Sequence, residues 1–548
     1  MKAVKPVEML RIESSLSTSN LINEAGYSIS KIARECLGGI LTKKILILVG
    51  PGINGEDALI AGQYLAKSGA EILLCMFKES PEISTRFPLL VENFNCSIVK
   101  SFDKIDQTEL ITLINKIDLI IDGFFGTGLN RPLQKEIQEK IILVNDLKNN
   151  PNSTRFKIIS VDIPSGLDPE LGPTEKVAIK SDFTIALGAV KTGLLTKNAK
   201  DYTGSIILAP LKIDENSYLP SQPDLLHYDL LRSKIPNRPV NSHKGTFGKA
   251  TIIGGSENYL GAPLLSAKAA ARSGAGLVSL AMPGKLSYEG LTYLPEATHL
   301  SLPSKKKDST FDLQSALVLN KLALDSTLLI GPGIGTTKQT AVFFKQILFD
   351  HINKKGDGRK IVIDADGLSL LAQIPGWWDH YKNIGVLTPH PGELSILTGQ
   401  SVDYIQENRV HCVATYAKKW KTTIVLKGAY TVIGEPTGNV SINPLAWAGL
   451  SSAGTGDVLA GIITGILSQG KSPYVAAQLG TYIHSLAAVL AAKKISASST
   501  GLIANDILEY IPMAITKILN RNIDKDVQLA LGLISESDYI SELSDTSN

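Results

Sequence analysis

Short runs of leucine and β-branched residues alternate along this chain with longer amphipathic stretches. Residues 45–49 read Ile-Leu-Ile-Leu-Val, apolar at every position. A strand with one wet face would alternate, so this run predicts a strand covered on both sides, as in parallel α/β sheets. A glycine turn follows, then a helix from about Ala58. Further strands are predicted near 72–77, 117–121, 158–161 and 183–187. The pattern lapses between about 211 and 241, where Pro220, Pro223, Pro236 and Pro239 fall. A second series then opens, with strands near 250–253, 277–281, 328–330, 361–363, 386–387 and 423–426. Helices are predicted at 261–273, 337–349, 457–468 and 474–493. The expected organisation is an α/β domain over 1–220, a linker over 221–240, a second α/β domain over 241–520, and a polar tail over 521–548 without ordered structure or function.

Composition narrows the class. At 548 residues the chain is too long for one core. No apolar run is read as approaching the ~18 residues that cross a bilayer, and the opening Met-Lys-Ala-Val-Lys-Pro-Val-Glu lacks the apolar core of a signal peptide. A net charge of +3 gives no field that would gather nucleic acid or a membrane. Cys36, Cys75, Cys96 and Cys412 show no CxxC or zinc spacing, and the eight histidines do not cluster. These features point to a reduced, cytoplasmic setting and to no nucleic-acid or membrane partner.

The strongest chemical signal is Asp457, in Ser452-Ala453-Gly454-Thr455-Gly456-Asp457 ahead of an apolar helical start. Glycines there let an anion approach backbone amides, and a helix N-terminus adds about half a positive charge. A carboxylate beside such a cradle can take a proton from a substrate hydroxyl; it can also merely complement the helix dipole. No Walker motif occurs, so nucleotide chemistry needs this other device. In the first domain, Gly50-Pro51-Gly52-Ile53-Asn54-Gly55 is a literal GxGxxG after a strand. The acidic ribose partner of a redox dinucleotide fold has no clean candidate about twenty residues on, which argues against a dehydrogenase. Asp122 and Asp162 each end an apolar run and can face the crevice at the strand ends; the alternative makes them turn-forming aspartates.

Several first-domain segments together resemble the epimerase domain of bifunctional NAD(P)H-hydrate repair enzymes. They are Leu21-Ile22-Asn23-Glu24-Ala25-Gly26, the turn above continued by Glu56-Asp57-Ala58, Asp122-Gly123-Phe124-Phe125-Gly126-Thr127-Gly128-Leu129, and Asp162-Ile163-Pro164-Ser165-Gly166-Leu167-Asp168. The resemblance implies a Rossmann-like three-layer domain, with a potassium ion on Asn54, Asp122 and Ser165. Asp162 would be the acid/base residue. Substrate would lie along Ile53-Asn54-Gly55-Glu56-Asp57 and Gly126-Thr127-Gly128-Leu129-Asn130-Arg131-Pro132. Ile53, Glu56 and Ala58 depart from the usual GPGNNGGDG.

In the second half, His243-Lys244-Gly245-Thr246-Phe247-Gly248, Gly331-Pro332-Gly333-Ile334-Gly335, Thr388-Pro389-His390-Pro391-Gly392-Glu393 and Lys427-Gly428-Ala429-Tyr430-Thr431 fall in that order before Asp457. This order resembles the ribokinase-like fold, in its NAD(P)H-hydrate dehydratase branch. The resemblance implies contacts to the hydrated nucleotide from Ala262, Gly333, His390 and Asp457. ADP or ATP would lie on Lys427, Gly428, Ala429, Tyr430, Thr431 and Gly456, with Mg2+ at the phosphates and Asp457 as base. The implied function is epimerisation of hydrated NADH or NADPH joined to nucleotide-dependent dehydration, in a homo-oligomer. Two other readings stay open: a ribokinase-like kinase of a small alcohol, and a first domain that only binds or assembles.

Overall fold

The computed structural model describes residues 1–78, 95–128, 133–150, 156–174, 177–286, 290, 292–304, 310–322, 326–353, 361–381, 384–498 and 500–540. The chain divides into two compact units, Met1–Gln222 with Gln528–Asn548, and Pro223–Val527.

The first unit is built on an eight-stranded sheet among the described residues, parallel at every pairing. Its spatial order is Leu533–Ser535, Ser205–Ala209, Phe183–Leu187, Lys157–Val161, Leu119–Gly123, Lys44–Val49, Glu71–Met76, Cys96–Ile98. The continuous apolar run has its expected cause. Ile45, Ile47 and Val49 pack into one core with Ile29 and Ile32 of helix Thr18–Leu37, while Leu46 and Leu48 enter the opposite core with Ile137 and Ile141 of helix Lys135–Asn149. Successive side chains point to opposite faces, so a strand between two helical layers needs apolar residues at both parities. Lys44–Val49 pairs with Glu71–Met76 on one side and Leu119–Gly123 on the other. The chain reverses direction across the sheet there, which opens a crevice at the strand ends.

The expected tail and linker differ from the structure. Residues 525–540 fold. Leu533–Ser535 extends the first sheet beside Ser205–Ala209, and Tyr539 packs on Phe183. Val527, Leu531, Leu533, Ile534 and Tyr539 are buried there, and the polar average of the tail hides them. Within 221–240, strand Asp224–Leu225 pairs with Val440–Ile442, and a helix spans Tyr228–Arg232.

The second unit holds a ten-stranded sheet among the described residues. Its order is Asp224–Leu225, Val440–Ile442, Val432–Gly434, Thr423–Leu426, Ile384–Leu387, Ile361–Ile363, Thr327–Ile330, Lys249–Ile253, Leu277–Pro283, Thr298–Leu302. Pairing is parallel except where Thr423–Leu426, Val432–Gly434 and Val440–Ile442 run antiparallel. Lys249–Ile253 has neighbours from both directions, a second switch point. Helix Pro473–Lys494 corrects the expectation that no stretch is long and apolar enough to cross a membrane, since by length and composition it is. It is buried almost throughout inside the protein, which accounts for its all-round apolar surface.

Two glycines bring helices Gly261–Arg272 and Thr455–Ser468 together. A Cβ on Gly461 would lie 2.3 Å from the Ser266 carbonyl oxygen, and one on Gly465 2.2 Å from Ser273 Oγ. Backbone can approach that closely only without side chains. The Ser266 hydroxyl donates to the Asp457 carbonyl at 2.9 Å, which ties the start of the second helix to the first.

Candidate functional site

In the second unit, the strand ends carry charge that the sheet interior excludes. Asp364 follows Ile361–Ile363, Lys427 follows Thr423–Leu426, and Asp457 sits in the first turn of helix Thr455–Ser468. Lys427 Nζ lies 2.8 Å from Asp364 Oδ1 and 3.7 Å from Glu393 Oε2. The Thr388 hydroxyl donates to the same Asp364 oxygen at 2.7 Å. A Cβ added to Gly456 would meet Lys427 Nζ at 3.5 Å, which places the ammonium against the helix N-terminus. Desolvation opposes the charge on Lys427, but Asp364, Glu393 and Asp457 outweigh it and hold its pKa above the ordinary value. Burial raises Asp457 to about 7, with Asp364 adding to the shift and Lys427 opposing it. Burial likewise raises Glu393 to about 7, against Lys427. The group as a whole is one cation among four carboxylates, Asp366 included.

His390 caps helix Pro391–Thr398: its Nδ1 accepts from the Glu393 N–H at 3.2 Å, and Glu393 Oε2 accepts from the His390 N–H at 2.8 Å. Desolvation and Lys427 lower its pKa, so the ring stays neutral near pH 7. The Gly333 carbonyl accepts from the Ser256 hydroxyl at 2.8 Å. Ala262 stands in the first turn of the helix that Ser266 pins to Asp457. Lys427, Gly428, Ala429, Thr431 and Gly456 line one cavity of about 140 Å³, while Tyr430 is buried beside it with its N–H on the Leu445 carbonyl. His390, Lys427, Gly456 and Asp457 thus meet at the strand ends, with Ala262 on the helix tied to Asp457 and Gly333 in the turn after strand Thr327–Ile330. Sequence reading missed Arg409, whose guanidinium donates to the carbonyls of Leu426 and Lys427 at 2.9 and 3.2 Å and anchors that turn. It also missed Asn443, Thr481 and His484 in the cavity wall. These lie in helices and a hairpin, where no local pattern marks them.

In the first unit, Asp162 ends strand Lys157–Val161 with φ +62°, a strained value for a residue bearing a Cβ. Its carboxylate pairs with buried Lys191, and Oδ1 also accepts from the Leu187 N–H at 3.0 Å. Glu13 and Asp57 lie in the same field. Burial raises the pKa of both, and Asp162 raises each further while Lys191 opposes. Asp122 is fully buried; it accepts from Ser165 N–H at 2.9 Å, Ser165 Oγ at 2.5 Å and Ser160 Oγ at 2.7 Å. Asn54 donates to the Val161 carbonyl at 2.7 Å, which turns its Oδ1 away as an acceptor, and Gly126 packs on that amide. A Cβ on Gly50 would lie 1.8 Å from the Phe124 carbonyl oxygen, so only glycine lets this turn close. Asn54, Gly55, Asp57, Asp122, Asp162, Ser165 and Gly126 therefore lie together at the strand ends. Ile53 is half exposed at the start of helix Ile53–Lys67, and Glu56 contributes its charge to Asp57. Leu129, Asn130, Arg131 and Pro132 lie outside the described residues.

A carboxylate, a hydroxyl and an amide oxygen make a hard-oxygen set that suits a potassium ion. Beside Lys427, Glu393 and Asp364 offer two carboxylates, the number Mg2+ uses when phosphates and waters complete its shell.

Comparisons with known proteins assign a family to each half of the chain. The family model described as NAD(P)H-hydrate dehydratase matches residues 250–513, and that described as YjeF-related protein N-terminus matches residues 18–193. The chain is 33% identical to the bifunctional NAD(P)H-hydrate repair enzyme of Dictyoglomus turgidum, over 95% of this chain and 99% of that one. It is 33% identical to the enzyme of the same description in Escherichia coli K12, over 93% and 92%. The solved ADP/ATP-dependent NAD(P)H-hydrate dehydratase of Bacillus subtilis, co-crystallised with ATP and Mg2+, is 28% identical, covers 54% of this chain and 99% of its own, and has a TM-score of 0.44.

Proposed function

The chain belongs to the family of bifunctional NAD(P)H-hydrate repair enzymes, and from that membership we propose how its own residues divide the work. The first unit epimerises the R and S hydrates of NADH and NADPH at C6. The second dehydrates the S hydrate back to the reduced cofactor at the expense of ADP or ATP. One observation supports the second assignment above others: Asp457, Gly456 and Lys427 meet at a helix N-terminus in the strand-end crevice.

Hydroxide leaves carbon badly, and phosphate leaves well. Asp457 takes the C6 hydroxyl proton as that oxygen attacks the terminal phosphorus and the bond to the nucleotide's leaving phosphate breaks. Lys427 and the amides at Gly456 and Asp457 hold the charge that develops on the phosphoryl oxygens. The ring nitrogen lone pair then expels phosphate from C6, and loss of a C5 proton restores the dihydropyridine. Mg2+, when bound by Glu393 and Asp364, neutralises phosphoryl charge. His390, Ala262 and Gly333 orient the nicotinamide nucleotide. In the first unit, Asp162 moves a proton at the C6 hydroxyl, its carboxylate held in place by the ion pair with Lys191. Asn54, Asp122 and Ser165 are the residues that would hold a potassium ion, which would supply positive charge for the substrate's phosphate. The family tendency supports a homo-oligomer.

The test is to mix the protein with both epimers of hydrated NADH, ATP and Mg2+ and follow the reduced-nicotinamide absorbance. Recovery of both epimers, the R form faster than it converts spontaneously, is expected. Recovery of the S form alone makes the first unit a binding module. A stable phosphoester product instead identifies a small-molecule kinase.

The raised pKa of Asp457 sets a pH dependence. The base works only when ionised, so dehydration kcat rises with pH through about 7 and falls about tenfold per unit below it. Glu393 titrates in the same interval, so the limb belongs to the coupled group. Lys427 stays charged above the ordinary lysine value, so no alkaline limb enters below pH 9. A flat profile from pH 5 to 9 would remove Asp457 as the base.

A further inference from the structure

The cavity beyond Lys427 holds polar atoms that have no partner among the described residues. Among the described residues, Asn443 Oδ1, Thr481 Oγ1 and His484 Nε2 are buried without a hydrogen-bond partner, and all three residues line this one cavity. They are 3%, 2% and 6% exposed. A buried polar group left bare weakens a fold, so three on one wall are shaped for something that enters.

Their hydrogen-bonding sense can be read. The Asn443 amide nitrogen donates to Ser485 Oγ at 2.7 Å, which turns Oδ1, an acceptor, toward the cavity. Burial pushes the His484 pKa down to about 4, so the ring is neutral. A backbone hydrogen bond with Thr455 favours the protonated ring, which marks Thr455 as contributing a carbonyl. Nε2 is unpartnered, so that bond runs from Nδ1–H, and Nε2 presents a bare lone pair. The Thr481 hydroxyl can donate. The wall therefore offers two acceptors and one donor. Phosphate oxygens are acceptors and are repelled by the first two, so the nucleotide's phosphates belong at the other end, by Lys427 and Gly456. Leu445, Trp447, Leu450 and Leu459 complete the cavity with apolar surface suited to a flat ring.

We propose that Asn443, Thr481 and His484 select the base of the phosphoryl donor: Asn443 Oδ1 and His484 Nε2 accept from an exocyclic amino group, and the Thr481 hydroxyl donates to the adjacent ring nitrogen. Adenine presents that pattern. A 6-oxo purine inverts it, with a carbonyl oxygen in place of the amino group and an N–H in place of the lone pair. This inference rests on the nucleotide reading of the crevice and adds to it which residues read the adenine base.

The test is calorimetric binding of ATP and of ITP to the full-length protein with Mg2+; the two differ only in that substituent and its tautomeric proton. ITP binds about 10- to 100-fold more weakly. Asn443→Ala and His484→Ala each weaken ATP and bring the two nucleotides within about threefold of each other, while the ratios of ATP to 2′-deoxy- and 3′-deoxy-ATP stay unchanged. The comparison on the unaltered protein needs no variant to fold. Equal binding of ATP and ITP overturns the proposal, and so does a loss in the variants that falls on the deoxy ratios, which assigns the acceptors to ribose. Binding is read without turnover. ATP selectivity without hydrate repair therefore strikes only the reaction, and absence of all nucleotide binding strikes both.

Discussion

Replacing Asp457 with Asn lowers the dehydration kcat about 1,000-fold and leaves ATP affinity within a few-fold of the original. The substitution keeps the shape of a side chain in the first turn of helix Thr455–Ser468, where Ser266 holds its backbone carbonyl at 2.9 Å. It removes the only property the mechanism takes from that side chain, a lone pair basic enough to receive the hydroxyl proton. Burial and Asp364 have raised that basicity to a pKa of about 7, where a carboxylate is a far better base than in water yet still half ionised at neutral pH. The nucleotide's phosphates depend instead on Lys427 and the helix amides, which the variant retains. Removing one negative charge beside Lys427 can even tighten ATP. Rapid-quench measurement of single-turnover phosphoryl transfer, alongside calorimetric ATP binding, separates the two quantities. Turnover within tenfold of the original would take Asp457 out of the chemistry.

Replacing Asp162 with Asn slows epimer exchange by at least about 100-fold and leaves dehydration of the S hydrate unchanged. It also destabilises the first unit by about 3–5 kcal/mol, because Lys191 is fully buried and loses its counter-charge. The two effects must be told apart. Asp162→Asn combined with Lys191→Met removes both charges and recovers much of the lost stability, while exchange stays slow. Thermal unfolding reads the first effect, and NMR exchange between the hydrate epimers reads the second. A double variant that regains exchange along with stability would make Asp162 a structural partner of Lys191 and nothing more. The φ of +62° does not separate the two roles, because a turn-forming aspartate also occupies the αL region, so the double variant decides between them.

Local patterns were enough for much of the architecture. The apolar run at 45–49 required a strand with helices on both faces, because both parities of residue had to be buried. The helix at 455–468 was visible from its glycines and the apolar residues after Asp457. Short elements escaped notice. Thr298–Leu302 mixes polar and apolar residues and buries only Leu302, and Leu533–Ser535 is a three-residue strand inside a polar tail, so neither stands out as an apolar run.

What the sequence determined by itself is the order of the chemistry: which glycine turns follow which strands, and which acids and lysine stand at their ends. Each of those features depends on residues within a few positions of one another. Tertiary structure alone decided the electrostatics. Asp364, Glu393 and Asp457 are separated by dozens of residues, and only packing brings them around Lys427, where shared burial moves two of their pKa values to about 7. It alone also decided the cavity wall, since Asn443 and His484 come from a hairpin and a buried helix that meet only in space. Desolvation and through-space charge depend on what surrounds a group in three dimensions, and the chain carries no local sign of that.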